Sequence, residues 1–479
     1  MTRGLEALAS DWMRLAREDA SAGRVLGLRV ALPGRSGAAL QLFGSTPDDT
    51  RFYWDQPAVG RVVCGVGALR RLEAGGATGF EQVTAEARAT YGALEVVGDP
   101  APTEAGPLLV GGFAFDPARG PSLGEPWTGF APISFILPEV LYVRDGEQAW
   151  LSVLADLPLT STASERESIA KSVFERAEAS EALLRRGDLD EVLHRPPATA
   201  SEYSARPDRP HVVWLDTVRA AIDEMTVGTF EKVVLARSLG VETDVAYDVL
   251  SVLAALRSSQ PTCTTFAVTR GDQTFLGASP ERLLLLQADH LETAALAGSA
   301  PRGRNPAEDE AFGRRLIESK KEQEEHAFVV REIDAALAPL CERLRYSEAP
   351  RLLALDAIQH LETPFEGDLR RASGPRPSLL EVAACLHPTP AVCGTPRRAA
   401  SDWLNENEAL ERGWYAGGVG YLDRDGGGEI RVALRSGLLA GRSARLYAGA
   451  GLVAASDPEA ELAETRLKLR TLLSQLTEI

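Results

Sequence analysis

Lys232-Val-Val-Leu-Ala-Arg237 is a branched, apolar run that follows an amphipathic one, His211 to Thr226. The first has the length and composition of a strand; the second repeats its apolar residues at helical spacing. Val213, Leu215, Val218, Ile222 and Met225 are the helix's candidate core positions. Working outward, strands are predicted at 264–269, 273–277, 282–286, 418–422, 429–436 and 445–448. Helices are predicted at 245–258, 307–343, 377–386 and 457–475. Short turns such as Arg270-Gly-Asp and Asp423-Arg-Asp-Gly-Gly-Gly join several strands. The pattern is that of an α/β (α+β-like) protein with much antiparallel sheet.

Upstream the chain is richer in strands: 61–66, 108–115, then 139–144 and 148–154 about an Asp145-Gly146 turn. Gly111 and Gly112 interrupt one of these, which suggests a bulge or close backbone packing. Residues 160–195 read as charged helix. The stretch from Arg195 to Pro210, rich in Pro and Ser, reads as a connection. This divides the chain into a strand-rich part with linker, 1–200, and a region carrying the chemistry, 201–479.

The 479 residues suffice for two to four domains or one large one. Hydrophobic residues make up 44% and charged ones 25%, as in a soluble globular protein. A net charge of -17 argues against a nucleic-acid partner and requires any anionic substrate to meet a local basic site. No run is long enough for a membrane span, and the N-terminus lacks the layout of a signal peptide. The five cysteines are scattered, without a CxxC pair, and read as free thiols in a reducing cytosol. The expectation is therefore a cytoplasmic protein.

Two acidic segments carry the strongest chemical signal: Ser319-Lys-Lys-Glu322-Gln-Glu-Glu325-His326 and Ser456-Asp-Pro-Glu459-Ala-Glu461-Leu-Ala-Glu464. Glu322 and Glu325 share one helical face, as do Glu461 and Glu464. Ser319 with Glu322, and Ser456 with Glu459, fit capping boxes. Brought together, the faces would cage a hard divalent cation such as Mg2+; separately, they suit solvated surface. Lys232 lies on one face of its strand with Val234 and Ala236. There it is either a desolvated general base or a strand-end lysine reaching solvent. Glu281, in the Ser-Pro turn between two apolar strands, suits a general acid held in a dry site, or an ion pair with Arg282. Gly298-Ser299 ends an apolar strand and leaves backbone N–H groups open to a carboxylate. Thr389 and Cys393 sit in a rigid Pro-rich loop. Arg435, read as lying inside an apolar strand, calls for an anion. Gly449 and Gly451 permit close backbone approach.

Assembled, these motifs closely resemble the chorismate-utilising enzymes. The matching pieces are Lys232-Val-Val-Leu-Ala-Arg, Gly277-Ala-Ser-Pro-Glu281-Arg, Ala297-Gly-Ser-Ala-Pro-Arg-Gly, Glu322-xx-Glu325-His326, His387-Pro-Thr-Pro-Ala-Val, Arg412-Gly-Trp-Tyr-Ala-Gly, Ala448-Gly-Ala-Gly and Glu461-xx-Glu464-xxx-Lys468. They follow the family's order. The Gly111-Gly-Phe-Ala-Phe region, with Trp127 and Phe130, looks like the N-terminal part of the longer isochorismate synthases. The resemblance implies one large unit of two facing, mostly antiparallel sheets flanked by helices.

It further implies that Glu325 and Glu464 ligate Mg2+, supported by Glu322 and Glu461. Lys232 would activate water for attack at C2 of chorismate, and Glu281 would protonate the departing C4 hydroxyl. Tyr415, Arg435, Gly449 and Gly451 would hold the enolpyruvyl carboxylate. Gly298, Ser299 and Lys468 would hold the ring carboxylate, with His360 and Thr389 lining the pocket.

Within the family, Lys232 disfavours anthranilate synthases, which carry glutamine there, so no glutaminase subunit is expected. Ala297 argues against aminodeoxychorismate synthases, which place a lysine there. The expected activity is isochorismate synthase, serving menaquinone or siderophore synthesis. Salicylate synthase is the alternative, and a non-catalytic chorismate-binding protein the remote one. Two departures from the family pattern are Ser299 for threonine and Cys393 for glycine.

Overall fold

The computed structural model describes residues 4–17, 24–45, 49–186, 202–354, 358–370 and 376–477. Two mostly antiparallel sheets face each other. The larger runs, edge to edge, from Tyr203–Pro207 through Lys232–Thr243, Ser443–Leu452, Ser436–Ala440, Gln273–Ser279 and Thr264–Arg270. It continues into Thr50–Gln56 and the remaining N-terminal strands. The smaller runs from Cys341–Tyr346 through Ile358–Leu369, His290–Pro301, Arg282–Gln287, Gly428–Val432 and Gly418–Leu422 into Leu109–Phe113. Each sheet passes from late to early chain at one pairing. Thr264–Arg270 lies beside Thr50–Gln56, and Gly418–Leu422 beside Leu109–Phe113.

Alternation along the strands builds two cores. Phe52, Trp54, Phe266, Val268 and Phe275 of the larger sheet point inward and pack with Phe113, Phe135, Trp414 and Ile430. Their neighbours Tyr53, Ala267 and Leu276 point outward, under helices that supply Trp12, Phe43, Val173, Leu253 and Leu472. A sheet covered on both faces explains why its strands read as near-continuous apolar runs. The strand holding Gly111 and Gly112 is regular, and the glycines serve close packing. A Cβ on Gly111 would lie 2.0 Å from the Ser134 carbonyl oxygen, and one on Gly112 2.2 Å from that of Gly418.

Several expectations need correction. The 307–343 helix is two, Pro306–Glu318 and Lys320–Leu337, broken at Ser319, followed by the strand Cys341–Tyr346. Ser319 ends the first helix in extended conformation while its side chain accepts from the Glu322 amide. It therefore caps the second helix at the cost of continuing the first. The 429–436 strand is also two, in different sheets, and the chain crosses from one to the other at Ala433–Arg435. At the second acidic helix Asp457, not Ser456, caps, accepting from the Ala460 amide at 2.8 Å. Val213 is exposed, and Trp214 fills the core beside it. Tyr203–Pro207, expected within a connection, pairs as an edge strand with Leu239–Thr243. The earlier part of that connection, 195–201, lies outside the described residues.

Candidate active site

A cleft opens between the sheets, lined by residues of both. One strand and the turn between two others supply its floor. Lys232 begins one and is 1% exposed. Burying an ammonium without a counter-charge costs several kcal/mol, and Glu325 answers it, Oε1 lying 2.8 Å from Nζ. The solvent-reaching alternative for Lys232 is thereby excluded. Glu281 is buried opposite, its backbone fixed at both ends. Its amide donates to Ser279 Oγ at 3.2 Å, and its carbonyl accepts from the Val432 amide at 3.0 Å. Burial pushes its carboxyl up to about 7, with Lys232, Lys468 and Arg435 opposing the rise. It is thus a carboxylic acid able to carry a proton near neutrality.

The wall is made by the helices Lys320–Leu337 and Pro458–Thr477. Glu322, Glu325 and Glu464 line the cleft; Glu461 is 2% exposed and lies behind them. Every carboxylate meets a lysine. Lys321 lies 3.1 Å from Glu461 and 3.7 Å from Glu322, while Lys468 is 2.7 Å from Glu464. Burial, then the neighbouring Glu325, raises Glu322 to about 7, against the pull of Lys321. Burial raises Glu461 as well, and Glu464, although buried, is held below the usual carboxylate range by Lys468.

Among the described residues, no three His, Cys, Asp or Glu groups converge closely enough to hold a metal ion as they are arranged. In place of a closed cage, each carboxylate meets a lysine, and Lys321 contacts both Glu322 and Glu461. The donor set nevertheless fits a hard cation: it is all carboxylate oxygen, and glycines make room for it. A Cβ on Gly451 would lie 2.5 Å from Glu325 Oε1, and one on Gly298 2.9 Å from Glu322 Oε2.

The far end of the cleft is basic and aromatic. Gly298 takes φ +72 where the register between its strand and Ile358–Leu369 shifts. This kink lets His360 Nδ1 reach the Gly298 carbonyl at 3.0 Å and Ser299 Oγ at 3.2 Å. The carbonyl can only accept, so Nδ1 carries the hydrogen. Burial first, then Arg435, lowers His360 to about 3, so the ring is neutral and Nε2 is an acceptor. Arg435 is not inside a strand. It stands at the crossover between the sheets with φ +51, a left-handed conformation uncommon outside glycine. Tyr415 stacks on Tyr447 with centroids 5.2 Å apart, and Lys468 Nζ donates to the Gly449 carbonyl at 2.9 Å. Gly449 and Gly451 also line the cleft.

Of the residues singled out from sequence, Lys232, Glu461, Thr389 and Cys393 stand outside the lining, and Lys232 lies beneath it, paired with Glu325, which does line the cleft. Thr389 is buried and its hydroxyl has no hydrogen-bond partner, whereas Ala391 and Val392 of the same loop reach the cleft. Sequence reasoning missed Lys321 and Tyr447. Lys321 directly precedes Glu322, and an adjacent opposite charge was the available signal.

The family described as chorismate binding enzyme matches residues 27–477. The chain belongs to that family. It is 37% identical over 448 residues to the salicylate biosynthesis isochorismate synthase of Pseudomonas aeruginosa, covering 92% of this chain and 88% of the relative. Identity to isochorismate synthase MenF of Bacillus subtilis is 35% over 371 residues, covering 78% and 75%. Among solved structures, the menaquinone-specific isochorismate synthase MenF of Escherichia coli superposes with a TM-score of 0.76 at 26% identity, covering 98% of this chain and 99% of that one. Both sheets and the cleft thus belong to the chorismate-binding fold. Among the described residues, no helix is long and apolar enough to cross a membrane.

Proposed function

We propose that the protein is an isochorismate synthase that converts chorismate to isochorismate with Mg2+, using Lys232 as base and Glu281 as acid. The observation that carries this reading is the pair itself. A buried lysine lies just behind the cleft lining against Glu325, and a carboxyl raised by burial to about 7 lines the same cleft, whose helical wall is acidic. Lys232 acts as base only as the neutral amine: its ammonium first gives up a proton to solvent as its contact with Glu325 is released, and the amine then takes a proton from the water attacking C2. Glu281 gives its proton to the C4 hydroxyl as that group leaves as water, and the ring double bonds shift. One water is added and one lost, so the reaction is an isomerisation. A base on one strand and an acid in the turn between two others suit a displacement across the ring.

Arg435 and Tyr415, with the Gly449 and Gly451 backbone, hold the enolpyruvyl carboxylate. Gly298, Ser299 and Lys468 hold the ring carboxylate, with neutral His360 as an acceptor beside them. These cations attract a dianion to a protein of net charge -17. Isochorismate synthases of this family are generally metal-dependent. Here Glu325 and Glu464, backed by Glu322 and Glu461, would hold Mg2+, which would supply positive charge to attract the ring carboxylate. This reading gives Thr389 no contact with substrate.

The test is to incubate the purified protein with chorismate and Mg2+ and separate the products. Isochorismate in equilibrium with chorismate, abolished by EDTA, is expected. Salicylate with stoichiometric pyruvate would move the protein to the salicylate synthases, and no turnover would sink the enzymatic reading.

A further inference from the structure

The strand that carries Lys232 lacks a continuous neighbour on one edge. At its start, Lys232 and Val233 pair with Thr395 and Gly394, and the Val234 amide donates to the Cys393 carbonyl at 2.7 Å. There the partner segment ends. The next two backbone groups on that edge are met by side chains. Arg412 donates to the Val234 carbonyl at 2.6 Å, and Glu408 accepts from the Ala236 amide at 2.8 Å.

The two side chains are joined to each other. Arg412 Nε lies 2.6 Å from Glu408 Oε1, and the pair is 3% and 5% exposed at its side chains. The guanidinium's remaining amino group donates to the Val392 carbonyl at 2.9 Å, in the loop that lines the cleft. Its face lies 4.1 Å from the Phe115 ring centroid. Four of the guanidinium's five N–H donors are therefore used, and two of its three targets, Val234 and Val392, line the cleft. Buried charge is seldom the cheapest way to fill a core, so its use here calls for a role that an apolar pair would not perform.

We propose that Glu408 and Arg412 are positioning residues for Lys232: a charged pair that stands in for a missing strand neighbour and fixes where the base sits in the cleft. Neither touches the reacting atoms. The proposal rests on the reading of Lys232 as the base. A rigid ladder up to Val234, continued by a fork that binds Val234 and Val392 together, sets the distance between Lys232 and the opposite wall. Misplacement of a catalytic group by about 1 Å is worth on the order of 100-fold in rate.

The test uses Arg412→Lys, which keeps charge but loses the fork, and Glu408→Gln, which keeps shape and an acceptor but loses charge. Both are assayed for isochorismate formation and, separately, for chorismate binding by fluorescence quenching. The expected result is a fall in kcat of about 10- to 100-fold, with the chorismate Kd within about threefold of the unsubstituted protein. Should Arg412→Lys not fold, Glu408→Gln alone decides. An unchanged kcat overturns the proposal. So does a loss of affinity as large as the loss of rate, because that marks general collapse of the cleft. Full activity in Lys232→Ala would instead overturn the assignment of the base, and is read from that variant alone.

Discussion

The floor and the wall of the cleft are held in opposite ways. Lys232 sits on a strand paired along both edges, and Glu281 in a turn whose amide and carbonyl are held by Ser279 and Val432. The four glutamates project from two helices, and their carboxylates are held by lysine side chains: Lys232, Lys321 and Lys468. Backbone ladders fix a position; side-chain ion pairs can be exchanged for another cation at modest cost. Proton transfer needs fixed geometry, whereas a metal site needs ligands that can let go of one positive partner and take another. Under the proposed function, the difference would separate the part of the cleft that does chemistry from the part that loads charge.

The most direct way to break this comparison is to remove the floor's functional groups. Lys232→Ala and Glu281→Gln should each lower kcat by about 10²- to 10⁴-fold, measured as isochorismate formed under saturating chorismate. A loss below tenfold in either would remove that residue from the chemistry.

A pH profile sharpens it. Glu281 must be protonated to act as an acid and is held up to about 7. kcat/KM should therefore fall tenfold per unit as pH rises above about 7. Glu322 must be ionised to support a cation and is also held up to about 7, so activity at limiting Mg2+ should fall below that pH too. Raising Mg2+ should move the acidic limb to lower pH, because cation and proton compete for Glu322. An acidic limb indifferent to Mg2+ would detach Glu322 from the metal.

The smallest effect belongs behind the wall. Glu461→Gln removes a carboxylate that is buried, outside the cleft lining and bonded to Lys321. Mg2+ affinity by calorimetry should weaken about tenfold, the size expected of an outer partner, while kcat at saturating Mg2+ stays nearly unchanged. A collapse of kcat at saturating metal would make Glu461 a direct participant.

What was legible in the sequence follows from what is local. A branched apolar run marks 232–237 as strand, which the structure extends to Thr243, the pattern over 457–475 marks the last helix, and helical spacing puts Glu322 and Glu325 on one face, where both line the cleft. The order of short motifs pointed to the family and hence to the residues that meet in the cleft. What stayed hidden is set by partners far along the chain. The burial of Lys232 depends on Glu325, and Lys321 bridges to Glu461, 140 residues away. Arg435 looked like a strand residue because apolar runs flank it, but those runs belong to different sheets. The break at Ser319 was missed because a helical pattern continues across it while its side chain caps the next turn.

Each sheet joins early and late chain at one seam, and this has a consequence for synthesis on the ribosome. When the first half of the chain has emerged, Thr50–Gln56 and Leu109–Phe113 each have one side of their backbone bare. Their partners, Thr264–Arg270 and Gly418–Leu422, are still to be made. Both early strands are almost wholly buried in the finished protein. An apolar strand with an open edge readily pairs with another chain. The nascent protein thus carries two adhesive borders through most of its translation. They close in sequence: the larger sheet's seam first, the smaller one's only near the end.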